Sequence, residues 1–261
     1  TTSCETQFGG ADNGEVEDYL VPVLSNVDFG DAPDTFLTLP SSGGAYHLLG
    51  SNLYLGDQIP DSDSVIVPSE LANSDDTNAS PDDDDALNIA VPIDVNSTSY
   101  QLTVEATNLT VNAATLWAWI DFNLDNQFEA SEAQFVEVSA GSSQGQFTLT
   151  WNDLSGLTAG VAYVRLRLTS DTLDANDWGG AASDGEVEDH KLVIGLFDLG
   201  DAPDTYGTDR VNSNGEGVGA SHTAGTTIFL GDVAPDDEAD GFVDGIDNNG
   251  QNLAVTDGTV K

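Results

Sequence analysis

Positive charge is what this chain has least of. Its 261 residues carry 5 Lys and Arg against 46 Asp and Glu, for a formal net charge of −41. Nucleic-acid binding needs a basic face, and so few cations cannot build one. A chain this acidic repels itself when compact. Salt softens the repulsion, because charges are screened over about 8 Å at physiological ionic strength. Multivalent cations seated among the carboxylates would soften it far more. Cysteine is nearly missing: Cys4 stands alone. That excludes an internal disulfide and a thiolate metal site. Methionine is absent, which suggests a segment of a longer product. No apolar run approaches the roughly 20 residues of a membrane helix, and no signal peptide is visible. Direct membrane insertion is therefore not expected. Nucleophile elbows, phosphate loops and zinc motifs are missing too, so no enzyme is expected. Paired carboxylates can hydrolyse glycosides, but the general acid needs a raised pKa and cation-bound carboxylates have lowered ones.

Apolar residues, by contrast, make up 39% of the chain. That is too many for a disordered acidic tail. The length admits one large β domain or two modest ones. The acids are mostly Asp, clustered near Gly and Asn. Such loops suit a hard cation with oxygen ligands, calcium above all.

Internal repetition frames the chain. Gly14-Glu-Val-Glu-Asp18 recurs as Gly185-Glu-Val-Glu-Asp189. Asp28-Phe-Gly-Asp-Ala-Pro-Asp-Thr35 recurs as Asp198-Leu-Gly-Asp-Ala-Pro-Asp-Thr205, and Gly44-Ala-Tyr-His47 as Gly219-Ala-Ser-His222. Leu55-Gly-Asp57 recurs as Leu230-Gly-Asp232. The offsets are 171, 170 and 175 residues. Residues 28–195 therefore read as one complete repeat. Residues 1–27 read as the end of a preceding repeat or a flanking strand. Residues 196–261 read as the start of a following repeat, or as an acidic segment packed on the central unit.

Period-two alternation dominates. Tyr100, Leu102, Val104 and Ala106 share one strand face, as do Leu116, Ala118 and Ile120. Phe147, Leu149 and Trp151 form another face, and Ala162, Val164, Leu166 and Leu168 another. Segments 18–23 and 187–194 also read as strands. No amphipathic helix is evident. The expectation is an all-β, antiparallel sandwich or jelly roll of half-buried strands. Its long acidic loops, 57–85 and 232–252, would be ordered by calcium.

The clearest candidate site is the segment from Asp121 to Glu132. Asp121, Asn123 and Asp125 stand at calcium-loop positions one, three and five. Gln127 offers its backbone carbonyl, Glu129 holds position nine and Glu132 position twelve. Asn126 replaces the usual Gly at position six, and Asn tolerates the left-handed conformation better than most residues. A second candidate is Asp184 with Glu186 and Glu188. On a strand the two glutamates share a face, about 6.6 Å apart. They repel unless a cation lies between them and a loop. The alternative is a charged strand that resists aggregation. Asp31 and Asp34 in Phe29-Gly-Asp-Ala-Pro-Asp34 are either ligands or turn caps; Asp201 is the copy of Asp31. Asp57, and Asp232, Asp240, Asp244 and Asp247 of the later acidic loop, complete the candidate ligands. His47 and His222 are expected to make structural hydrogen bonds. Trp117 and Trp119 are expected to pack in a core. Trp178, in Asp177-Trp-Gly-Gly180, is a candidate ligand contact.

These motifs carry a family resemblance. Gly-Glu-Val-Glu-Asp, Phe-Gly-Asp-Ala-Pro-Asp, Gly-Gly-Ala-X-His and Trp119-Ile-Asp-Phe-Asn123 resemble the GEVEDY-type repeat of large bacterial surface proteins. Within that group the chain resembles the peptide-binding domains of repeats-in-toxin biofilm adhesins. His190 stands where the pattern has Tyr. The resemblance implies a calcium-stabilised β domain at a cell surface, part of a larger multidomain adhesin. It further implies capture of a peptide or protein C-terminus on a host or neighbouring cell. An incompletely coordinated Ca²⁺ can attract a carboxylate that the acidic protein alone would repel. A calcium-rigidified spacer repeat and a carbohydrate-binding module are the alternatives.

Overall fold

A computed structural model describes residues 26–63, 67–74, 83–87, 91–199, 221–223, 227, 228 and 230. Among these residues the regular structure is β, with short 3-10 turns and no α-helix. Two sheets form the sandwich. One holds five strands in the order β4 (Ile93–Asp94), β11 (Glu186–Gly195), β9 (Gly160–Thr169), β6 (Ala114–Ile120) and β7 (Ala133–Val138). The other holds β3 (Leu53–Leu55), β5 (Ser99–Asn108) and β8 (Ser142–Asn152). Pairing is antiparallel throughout except where β4 joins β11.

The alternating residues meet between the sheets. Leu102 and Val104 of β5, Leu149 and Trp151 of β8, Leu116, Ala118 and Ile120 of β6, and Val164, Leu166 and Leu168 of β9 all join one buried core. At about 25 cal/mol per Å² of buried apolar surface, this core is the main stabilising term.

The expectation of half-buried strands holds for β5, whose outward residues are mostly exposed. It fails for β9, which is buried on both faces from Ala162 to Thr169. The cause is a third layer. β1 (Val27–Phe29) and β2 (Tyr46–Leu48) pair with each other, and β10 (Ala181–Ala182) adds to β2 in parallel. This small sheet and the loops beside it cover the outer face of the large one. A second buried cluster forms there from Ala32, Phe36, Trp117, Trp119, Phe128 and Tyr163. Trp117 and Trp119 stack with ring centroids 5.6 Å apart, which meets the expectation of core packing.

Two arginines hold this layer down. Arg165 and Arg167 are fully buried. The Arg165 guanidinium grips Asp189 through two bonds of 2.8 and 2.7 Å. Its remaining donors reach the carbonyls of Phe36, Leu37 and Trp178. Arg167 donates to the carbonyls of Asp177, Gly179 and Gly180, and through Nε to His47 Nε2 at 3.0 Å. A fork of five donors suits this task, whereas Lys could satisfy fewer of these carbonyls.

Two further strands, β12 (Phe197–Leu199) and β13 (Ser221–Thr223), follow the sandwich and pair with each other. The predicted strand 18–23 lies outside the described residues.

Candidate metal centre

The segment Asp121–Glu132 leaves the end of β6 and winds inward on its own side chains. Asp121 is buried. Its carboxylate accepts from the Asp125 and Asn126 amides at 3.1 and 3.0 Å. Asn123 Oδ1 accepts from the Asp125 amide at 2.8 Å, and Asp125 Oδ1 from the Gln127 amide at 3.0 Å. Each side chain thus turns its oxygen toward the loop's own backbone amides. Asn126 takes a φ of 66°, the left-handed conformation that position six demands. The loop closes on a 3-10 turn at Ala130–Glu132. There Glu129 and Glu132 form a reciprocal capping box. Glu132 is buried, and it also accepts from the Phe122 amide at 2.9 Å. Its carbonyl is anchored by the Trp151 indole at 2.7 Å.

The electrostatics of this loop are unfavourable without a cation. Burial, and then the neighbouring Asp121 carboxylate, push Glu132 up to about 8. Burial raises Asp121 as well. Carboxylates whose charged form burial disfavours are what a bound cation relieves.

A second acidic centre lies at one end of the sandwich. Glu186 and Glu188 project from β11 on the face that further along carries Leu192 and Ile194 into the core. Both are buried, as is Asp28 of β1. Asp28 accepts from the Val187 amide at 2.7 Å. Glu186 accepts from the Leu55 amide, and Glu188 from the Ala86 amide at 3.2 Å. Asp63 accepts from the Phe29 amide at 2.6 Å. Asp85 accepts from the Asp57 and Gln58 amides at 3.0 and 3.1 Å. The described ends of the acidic loop, 57–63 and 83–85, therefore lie beside the β11 glutamates. His190 Nε2 lies 2.8 Å from Glu188.

Burial is the largest cause of the shifts here too. It lifts Asp28 well above the usual carboxylate range, with Asp63, Asp83 and Glu188 adding repulsion. Glu186 is lifted well above it by burial and then by Glu188 and Asp28. Asp85 rises to about 7 for the same first reason.

The other candidates fall elsewhere. Asp34 bonds the Leu39 amide at 2.9 Å and Ser42 Oγ at 2.6 Å, so it caps its turn. Asp31 is buried beneath Ser74 and accepts from its amide and hydroxyl. Asp184 caps the Thr169–Ser170 corner through Thr169 Oγ1 at 2.7 Å and the Ser170 amide at 2.8 Å. It is occupied there, away from the job of reaching back to Glu186. Trp178 is half-buried against the Trp117–Trp119 cluster, and its carbonyl holds Arg165. His47 is structural: Nδ1 donates to the Asp184 carbonyl at 2.7 Å while Nε2 accepts from Arg167. Burial and then Arg167 hold it well below the usual histidine range, in its neutral form. Asp201, Asp232, Asp240, Asp244 and Asp247 lie outside the described residues.

The sequence reading missed Asp28 as a member of the second centre, and it placed Asp83 and Asp85 in the acidic loop without joining them to Glu186 and Glu188. Asp28 begins the repeated Asp-X-Gly-Asp-Ala-Pro-Asp motif, and that recurrence was the available signal. Gly185 precedes Glu186 with a φ of 84°, and a Cβ there would strike the Leu168 carbonyl. This explains why glycine opens the Gly-Glu-Val-Glu-Asp motif.

Oxygen donors dominate both centres, which is the donor set of a hard cation such as calcium. The loop's remaining donors are an amide and a carbonyl, so it does not rely on carboxylates alone. Among the described residues, no three His, Cys, Asp or Glu side chains already stand together as a metal cage.

Fold and site together define an acid-rich β-sandwich module with a tightly wound acidic loop at a strand end. Residues 115–193 match the family model of the GEVED domain. The matched stretch runs from β6 through most of β11, is consistent with a GEVED-type repeat, and contains both the Asp121–Glu132 loop and the Gly-Glu-Val-Glu-Asp motif. No curated protein and no solved structure matches the chain.

Proposed function

We propose that this protein is a calcium-dependent binding module of an extracellular bacterial adhesin. It captures short peptides by their free C-termini through a calcium ion whose coordination is incomplete. One observation carries the reading. Asp28, Glu186 and Glu188 are all buried together, and Arg165 is committed to Asp189. His190 faces Glu188, but three buried carboxylates outnumber it, and under-compensated buried charges cost several kcal/mol each. A divalent cation offsets part of that charge, and an open coordination position on it can take a ligand carboxylate. Asp28, Glu186 and Glu188 with Asp57 and Asp85 would hold one ion. Asp121, Asn123, Asp125, the Gln127 carbonyl, Glu129 and Glu132 would hold another. Affinities for calcium of about 10⁻⁴–10⁻³ M are usual in extracellular modules.

The test compares a pool of peptides with free C-termini against the same pool amidated, by calorimetry in calcium. Binding of the free pool alone supports the reading. Equal binding of both pools, or none, defeats C-terminal capture.

A calcium-rigidified spacer is the second reading. The recurrence of the β1–β2 pairing pattern in β12–β13 favours it, because a tandem array is what a spacer is built from.

A further inference from the structure

At the end of the sandwich away from Glu186 and Glu188, the chain crosses from one sheet to the other. β4 pairs with the far end of β11, Ile93 beside Ile194 and Asp94 beside Gly195. Residues 95–98 then arch over to β5. Glu186 and Ile194 lie eight residues apart on β11, about 26 Å at strand rise. What lies under the arch is therefore separate from the Glu186–Glu188 centre.

Under it is a cavity of about 290 Å³. Its shape is fixed from within. The Tyr100 hydroxyl donates to the Val91 carbonyl at 2.8 Å. The Tyr100 ring packs on Trp151 and Phe122, with centroids 6.2 and 6.5 Å apart. The Val95 amide donates to the Gly195 carbonyl, and the Ser97 amide to the Asp94 carbonyl, both at 3.0 Å. A hollow formed in advance loses little freedom when it fills. Ser99 and Gln101, exposed on the outward face of β5, open it to solvent.

The walls have two characters. Val91, Pro92 and Ile93 supply an apolar side, and Asp94, Ser97, Ser99 and Gln101 a polar one. Asp94 is only 7% exposed. Its Oδ1 accepts from the Asn96 amide at 2.6 Å, the one hydrogen bond of this carboxylate among the described residues. Gln101 engages its amide nitrogen with Thr150 Oγ1 at 3.4 Å, which leaves its carbonyl as an acceptor. Among the described residues, no Lys, Arg or His lines the cavity. A carboxylate beside apolar walls, with no cation near it, favours a positively charged guest.

We propose that this cavity binds a primary ammonium group on a short alkyl stem, the chemistry shared by a lysine side chain and a simple alkylamine. The stem lies against Val91, Pro92 and Ile93. The ammonium donates to Asp94 Oδ2, with the serine hydroxyls and the Gln101 carbonyl as its further acceptors. Three donors on a point charge suit one open carboxylate oxygen flanked by neutral acceptors. A guanidinium fork wants both oxygens, and one of those on Asp94 is taken. A saccharide would want a ring face to lie on, and Tyr100 is only 7% exposed. Asp94 repels a carboxylate guest, so this site is independent of C-terminal capture.

The test titrates the full chain, in calcium at neutral pH, with n-butylammonium, Nα-acetyl-lysine N-methylamide and uncharged n-butanol. Amide NMR shifts at residues 93–101 are the readout. Both amines are expected to give saturable one-to-one shifts there, and n-butanol none. The tighter amine tells whether the guest is a protein lysine or a free amine. Asp94→Asn keeps the oxygen that accepts from the Asn96 amide, and weakens amine binding by on the order of tenfold, as loss of one charged hydrogen bond does. Ser99→Leu narrows the mouth without altering Asp94 and also weakens binding. Glu137→Gln, at an exposed acid on β7, leaves the affinity unchanged. Absence of saturable shifts at residues 93–101, an equal loss in Glu137→Gln, or equal affinity for n-butanol overturns the inference.

Discussion

Glu132 and Asp189 show how differently two buried acids can be compensated. Asp189 has its own fork in Arg165. Glu132 has only backbone amides and repulsive neighbours, and stays up at about 8. The consequences of neutralising them differ. Asp189→Asn strands a buried guanidinium, so stability falls by about 3–5 kcal/mol whether or not calcium is present. Equilibrium urea unfolding in calcium and in chelator reads this. Glu132→Gln removes a carboxylate that prefers its proton when no cation is bound. Its expected cost is a calcium affinity lower by on the order of tenfold or more, with little loss of stability in chelator. Isothermal titration and paired melts check both halves. Position six was readable at this scale, since Asn126 adopts the required left-handed turn. Arg165 and Arg167 were not. Alternation placed them on the outer face of a strand, and only the packing of distant loops shows that this face is buried.

At the scale of elements, β11 joins the two layers, with Glu186 and Glu188 facing the sandwich end and Val187 and Asp189 facing the outer sheet. Gly185 sets its start. Gly185→Ala forces a left-handed residue against the Leu168 carbonyl, costing more than about 1–2 kcal/mol, measurable as a lower denaturation midpoint. The acidic loop over β11 also sets a pH dependence for the cation-free protein. Raised carboxylates bind more protons in the folded state than in the unfolded one. Their stabilisation is complete below the unfolded pKa and is lost as pH rises through the folded value, about 7 for Asp85 and about 8 for Glu132. The melting temperature in chelator should therefore fall from pH 6.5 to pH 8.5. His47 adds a loss only below pH about 6.5, because its folded pKa is depressed. In saturating calcium the downward trend should vanish or reverse. Strand positions were legible because period-two alternation follows directly from the pleat. The third layer was not, because β1, β2 and β10 are each two or three residues long, too short to show a period.

For the whole molecule, charge sets the terms. A net charge of −41 on a chain with five cations, two of them buried arginines, leaves little internal compensation for the acids. That imbalance was legible from composition alone. Which acids share a centre was not: Asp28 and Glu188 are 160 residues apart in sequence, and only the fold joins them. The central claim is that bound calcium completes this fold. The most direct measurement is a thermal melt of the full chain at neutral pH in calcium and in excess chelator, with magnesium as a control for ionic strength and valence. The account predicts a melting temperature that rises with calcium concentration, as expected when a ligand binds only the folded state, and a much lower one in chelator. A melting temperature unchanged between calcium and chelator would contradict it.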